Sequence, residues 1–142
     1  MSALDLSVMH GTLAVCRLPP TVPPPNWALA GNGFLALTRT AGELTVVVPS
    51  EAVPERVPRE DGWRALRVDT PLDFSMTGVL ASLAQPLADA DVSIFAISTN
   101  DTDYVLVTED TLERAIEALG AAGHRFAEPE AGTGAAVDEK AR

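Results

Sequence analysis

Lysine is nearly absent from this chain: Lys140 is the only one and lies within the last three residues, which excludes a catalytic Schiff base and a phosphate-gripping P-loop lysine. Cys16 is the only cysteine, which removes disulfides within the chain and every thiolate zinc site needing two or more sulfurs. It sits in the apolar stretch Leu13-Ala14-Val15-Cys16 and reads as a buried, inert thiol. His10 and His124 are the only imidazoles, neither within a catalytic motif, and each reads as a polar residue at a strand edge. No apolar run approaches the roughly 20 residues of a membrane-spanning helix. The start Met1-Ser2-Ala3-Leu4-Asp5 lacks the basic and apolar regions of a signal peptide, so a cytoplasmic protein is expected. Basic residues are scarce as well, 10 against 20 acidic ones, and the formal charge of −10 repels nucleic acid and anionic membranes alike. Asp89, Asp91, Asp101 and Asp103 fit no calcium-loop spacing, so neither a metal nor another cofactor is expected.

What the chain does have is apolar content, 46% of 142 residues, and an internal repeat. Phe34-Leu35-Ala36-Leu37-Thr38 lines up with Ile94-Phe95-Ala96-Ile97-Ser98, and Glu43-Leu44-Thr45-Val46-Val47 with Asp103-Tyr104-Val105-Leu106-Val107, at an offset of 60. Each copy reads as a β-hairpin. The alternation from Gly62 to Val68 predicts a strand, and Val79, Leu80, Leu83 and Leu87 predict a helix over 77–90 that Pro86 caps off or kinks. A second helix follows the hairpin, with Asp110 and Glu113 as a capping box, Leu112, Ala115, Ile116 and Leu119 as its stripe, and Gly120 and Gly123 at its end. His124-Arg125-Phe126 adds a last short strand.

The second half is therefore βαββαβ, the ferredoxin-like order, in which helices cover one face of an antiparallel sheet. The first half is a degenerate version, with strands near 12–18, 34–40 and 43–49. Pro23-Pro24-Pro25 allows only a turn near Trp27, and Pro54 and Pro58 leave room for a short second helix or a linker. The fold expected is α+β, two ferredoxin-like units, the first with its helices shortened. The expected division is 1–60 for the N-terminal unit, 61–127 for the C-terminal unit and 128–142 for a disordered tail.

Gly62-Trp63-Arg64-Ala65-Leu66-Arg67-Val68, Pro71-Leu72-Asp73-Phe74-Ser75-Met76-Thr77-Gly78 and Ser98-Thr99-Asn100-Asp101-Thr102-Asp103 resemble the bacterial tandem ACT-domain proteins, relatives of the CASTOR arginine sensors. Phe34 to Thr40 and Glu43-Leu44 fit the same family, so the resemblance covers roughly 10–126. It implies ACT domains that are not catalytic and that bind an amino acid or similar small effector at an interface between domains. In the CASTOR sensors the residues matching Thr99 to Asp103 surround the bound arginine, and those matching Ser93 and Ile94 reach it from the facing domain. This chain departs from the pattern at Asn100, where relatives often carry an aromatic residue.

The residue chemistry agrees in kind. Asp73, Ser75, Thr77 and Gly78 lie where a strand turns into a helix, whose free N–H groups suit an anion. Thr99, Asn100, Thr102 and Asp103 lie at a hairpin tip and offer acceptors to a cation. The same residues also suit helix capping and turn formation. Arg39 is placed to neutralise Glu43, whereas Thr99 stands at the equivalent position in the second copy and leaves Asp103 without an obvious partner. A homodimer is expected, through an edge beginning Val92-Ser93-Ile94. The alternative is a protein-interaction subunit without a functional ligand site.

Overall fold

The computed structural model describes residues 3–73 and 75–128, so all but the first residue of the expected tail, and Phe74, lie outside the described residues. In chain order the elements are strands β1 (Asp5–Val8) and β2 (Leu13–Leu18), helix α1 (Asn26–Leu29), strands β3 (Ala36–Arg39) and β4 (Leu44–Pro49), and a 3₁₀ turn, Ser50–Ala52. Strand β5 (Glu60–Val68), helix α2 (Val79–Asp89), strands β6 (Phe95–Ser98) and β7 (Asp103–Thr108), a second 3₁₀ turn (Glu109–Thr111), helix α3 (Leu112–Ala121) and strand β8 (Arg125–Phe126) follow. Among the described residues no helix is long and apolar enough to cross a membrane.

The chain divides into two compact units, one of Gly11–Trp63 and one in which the residues up to His10 join those from Arg64 onward. Residues 3–10 thus belong with the C-terminal unit, whereas the sequence reading places them in 1–60. The reason is β1, whose Leu6 and neighbouring Leu4 enter the C-terminal core while Asp5, between them, stays exposed.

In the Gly11–Trp63 unit, β4 lies antiparallel between β3 and β2, and the first residues of β5 join β2 through Leu13↔Trp63 and Val15↔Glu60 across a register shift. That is the ferredoxin-like strand order with both helices shortened. Ala14, Cys16, Leu44, Val46 and Val48 alternate onto one face and meet Ala28 and Val53. Cys16 is fully buried, and burial raises its thiol pKa, which keeps it inert at neutral pH. After three prolines α1 manages four residues. Where a second helix would lie, Arg59 donates instead to the carbonyls of Val53, Pro54 and Val57 and fixes an irregular connection.

The other unit has the order β8-β1-β5-β7-β6, which is the ferredoxin-like arrangement with β1 inserted between β8 and β5. Leu66, Val68, Val105 and Val107 of the sheet meet Val79, Leu83 and Leu87 of α2 and Ala115 and Leu119 of α3. Pro86 neither ends nor caps α2, which runs on to Asp89. Asp91, at φ 62, closes it: Asp91 N–H donates to Ala88 O and Val92 N–H to Leu87 O, a Schellman pair. Arg114 of α3 donates to the carbonyls of Ala90 and Asp91 just beyond. The capping box expected at Asp110 and Glu113 does not form, because Asp110 is wound into the 3₁₀ turn and Thr111 takes the cap position, with no side-chain cap bond. Gly123 ends α3 in a second Schellman pair at φ 103.

Candidate functional site

Two segments of the C-terminal unit converge beyond the end of β5. The β6–β7 tip is organised by Thr99, whose N–H donates to Thr102 O at 2.8 Å and whose Oγ1 accepts the N–H groups of Asp101 and Thr102. Thr102 Oγ1 donates to Val68 O at 2.6 Å and so ties the tip to β5. The β5–α2 connection is turned by Asp73, whose Oδ1 accepts Ser75 N–H at 2.9 Å and Ser75 Oγ–H at 2.5 Å. Gly78 then starts α2 at φ 78, a left-handed conformation that favours glycine, and no side chain caps the helix.

Between these segments lies an open cleft of about 230 Å³, with Leu72, Asp73, Met76 and Val79 on one wall and residues 98–103 on the other. Of the expected site residues, Asp73, Thr99, Asn100, Thr102 and Asp103 line it together. Ser75, Thr77 and Gly78 do not: Ser75 serves Asp73, and Gly78 supplies the turn into α2. Ser93 and Ile94 do not line it either; Ser93 is exposed just before β6, and Ile94 packs against the core. Sequence reasoning missed Leu72, Met76, Val79, Ser98 and Asp101 as lining residues. Asp101 was legible from its place in the same tip, whereas the apolar wall gave no signal apart from that of the helix core.

Among the described residues three carboxylates, Asp73, Asp101 and Asp103, line the cleft and no lysine or arginine does. Among the described residues none of the three stands in an ion pair. The Ser75 hydroxyl, with the Ser75 and Met76 amides, holds the Asp73 carboxyl below its ordinary value, so it is ionised at neutral pH. Asp103 is not without a local partner, as the sequence suggested, because Ser98 Oγ donates to it at 2.6 Å. Nor does Arg39 neutralise Glu43: it donates to the carbonyls of Pro20 and Val22, and Glu43 faces Arg17 at 3.8 Å. The registers explain both corrections. The last pairs of the hairpins are Arg39↔Leu44 and Ser98↔Asp103, so the structural repeat has an offset of 59 rather than 60, and Thr102 is the residue equivalent to Glu43.

The ACT domain family model matches residues 59–121, which spans this unit from β5 to the end of α3. This segment is an ACT domain. A second family model, describing an N-terminal domain, matches residues 11–56. The chain is 32% identical to Agrobacterium tumefaciens protein Atu0741, whose crystal structure superposes with a TM-score of 0.85 over 92% of this chain and 96% of that one. It is 33% identical over 111 residues to the bovine cytosolic arginine sensor for mTORC1 subunit 1, covering 68% of this chain and 33% of the sensor, and 34% identical over 95 residues to the human one. The chain thus spans about a third of the length of these curated relatives. The regulatory subunit of Thermus thermophilus aspartate kinase shares the fold at a TM-score of 0.59 and 11% identity, over 82% of this chain and 95% of that one. The ACT fold of this chain is related to that of the arginine sensors.

Proposed function

We propose that this ACT-domain protein is a non-catalytic regulator that binds an amino acid, and that the cleft between Asp73 and the 98–103 tip receives the ligand's positive group. The observation that carries this is the set of three carboxylates, unrelieved by any cation in the lining, on a rigidly hydrogen-bonded frame. Apolar Leu72, Met76 and Val79 offer the opposite wall to a side-chain stem. The arginine-binding named for the relatives points the same way. In its fuller form two copies pair along β6, which has β7 on one side only, so that Ser93 and Ile94 of one copy approach the tip of the other and two equivalent sites result. A thermal-shift screen against the twenty amino acids tests the reading. A saturable rise in Tm with a cationic amino acid, and none with its neutral isostere, is expected. A flat response to all twenty at millimolar concentration overturns it. Sedimentation giving a monomer at micromolar concentration, with and without amino acids, overturns the paired form alone.

A further inference from the structure

The bend at 30–33, between α1 and β3, carries the pair Asn32-Gly33, and both residues are exposed. Gly33 does not serve conformation here, since its φ lies outside the left-handed region. It serves room. A Cβ on Gly33 would stand 2.8 Å from Cγ of Pro49, the last residue of β4, and a ring closed on its own backbone has little freedom to move aside. The packing of the bend against β4 therefore demands glycine after Asn32. Among the described residues the Gly33 N–H meets no acceptor, so no hydrogen bond ties its nitrogen down.

The chain's other two asparagines are placed differently. Asn26 opens α1, where the bulky Trp27 follows it and its carbonyl accepts the Ala30 N–H. Asn100 is followed by Asp101, whose N–H donates to Thr99 Oγ1 and whose carboxylate accepts the Asn100 amide, each at 3.3 Å. A side chain on the following residue crowds the approach of its nitrogen to the asparagine Cγ, and a hydrogen bond from that N–H holds the nitrogen away. Asn32 meets neither obstacle, and asparagine is among the thermolabile residues.

We propose that Asn32 is a site of spontaneous modification, at which the fold itself presents an amide for conversion to an acid. Hydroxide takes the proton of the Gly33 N–H, the nitrogen attacks Asn32 Cγ, and the Cγ–Nδ2 bond breaks; the departing nitrogen takes a proton from water and leaves as ammonia. That closes a five-membered succinimide. Water then opens the ring at either carbonyl. Attack at Cγ restores the ordinary backbone with an aspartate side chain, and attack at the backbone carbonyl routes the chain through Cβ and Cγ as isoaspartate. In sum one water is consumed and one ammonia released. Either product puts a negative charge into the stretch 6–42, which contains no acidic residue. The isoaspartate also adds a carbon to the backbone just before β3, which lifts Gly33 off Pro49 and loosens the entry to that strand. Nothing in this chemistry depends on the cleft of the C-terminal unit or on its ligand.

The test is ageing of the full chain at mildly alkaline pH, warm but below its Tm, followed by isoelectric focusing and tryptic mapping. Cleavage after Arg17 and Arg39 yields a peptide with Asn26 and Asn32, and cleavage after Arg67 and Arg114 one with Asn100. A band one negative charge from the parent is expected, with the acid at Asn32 resolved as two isobaric peptides and with Asn26 and Asn100 intact. Conversion at Asn26 or Asn100 ahead of Asn32 overturns the proposal. So does a folded chain whose Asn32 is still intact when the free 18–39 peptide has converted in full, because the fold then shields the pair instead of presenting it. Lowering the pH should slow the conversion, and a rate that does not fall overturns the ring-closing route. Asn32→Gln, at an exposed position, would have to close a less favourable six-membered ring, so the acidic band should vanish; a band that persists overturns the site. In the aged chain the amides that pair β3 with β4 should exchange hydrogen faster while those of β7 keep their protection. Equal protection of β3 before and after ageing overturns the loosening of its entry.

Discussion

His124 Nδ1 accepts the Leu4 N–H at 3.1 Å across 120 residues of sequence, while Nε2 lies 3.1 Å from Ser82 O. One nitrogen accepts, so the other carries the proton and donates, and a single imidazole joins the start of β1, the first half of α2 and the end of α3. The ring is 7% exposed. His124→Ala leaves the buried Leu4 N–H and the part-buried Ser82 carbonyl without these partners, at roughly 1–3 kcal/mol for each such group before relaxation. A loss of about 3 kcal/mol in urea unfolding is expected, together with faster hydrogen exchange at Leu4. A loss below about 0.5 kcal/mol, the scale of an ordinary surface substitution, would show that the staple does not matter.

The two helices of the C-terminal unit end in the same Schellman geometry with different residues at the left-handed position, Asp91 at φ 62 and Gly123 at φ 103. A side chain there crowds the following carbonyl, at about 1–2 kcal/mol, and aspartate only partly escapes this cost. Asp91→Gly should therefore raise stability by about 0.5–1 kcal/mol, and Gly123→Ala should lower it by about 1–2 kcal/mol. Thermal unfolding of the two variants beside the parent decides it; shifts of the same sign would contradict the argument.

The fold was legible where periodicity was strong and unopposed. The strand over 62–68 and both hairpins were read from apolar alternation, and the short α1 from Pro23-Pro24-Pro25, because proline's missing N–H acts locally whatever the tertiary context. Strand β1 was missed although Leu4, Leu6 and Val8 alternate with Asp5 and Ser7; what makes it a strand is its partner 62 residues away, Leu6↔Val68, and no local signal announces that. The box at Asp110 failed for the opposite reason, since a sound local motif was displaced by a tighter turn. At the site, the polar half of the cleft was visible as a cluster of turn residues. The one-residue error in the repeat offset came from matching side-chain chemistry, Glu43 with Asp103, when hairpin register is fixed by the turn. The burial of Arg67 was invisible, because an arginine in an alternating strand reads as the solvated face.

Two carboxylates contribute to the acid limb of stability. The Ser50 hydroxyl lowers the Asp61 pKa most, desolvation opposes it, and the Gly62 N–H at 2.9 Å and the Arg59 charge lower it further; the Ser75 hydroxyl lowers that of Asp73. Both folded values lie under the ordinary 3.8, so well above pH 3.8 both states are ionised and the contribution is complete. As pH falls further the unfolded chain takes up protons first and the contribution is lost. The Tm difference between the parent and Asp61→Asn should therefore shrink as pH is lowered through 3.8 and be constant from pH 5 to 7. A difference that grows on acidification would reverse the sign of the argument.

Asp103 is the carboxylate on which the proposed recognition turns. It begins β7, so its backbone is fixed by the pair Ser98↔Asp103, and one carboxylate oxygen is already held by Ser98 Oγ at 2.6 Å. That bond orients the group without neutralising it, and among the described residues no guanidinium or ammonium of the lining competes for the charge. A ligand cation docking here gains a pre-positioned acceptor and gives up little ordering entropy on the protein side. Asp103→Asn keeps the shape and the Ser98 contact while removing the charge, and should weaken a cationic amino acid by about 1.5–3 kcal/mol, roughly ten- to a hundredfold. Glu43→Gln is the control: Glu43 already faces Arg17 and accepts Thr45 Oγ1–H at 2.8 Å, and its place in the repeat is that of Thr102, so affinity should hardly change. Isothermal titration of both variants with the best ligand of the thermal screen separates the outcomes. Equal affinity for Asp103→Asn and the parent would sink the role of Asp103, and an equal loss in Glu43→Gln would show that the titration reads overall charge rather than the cleft.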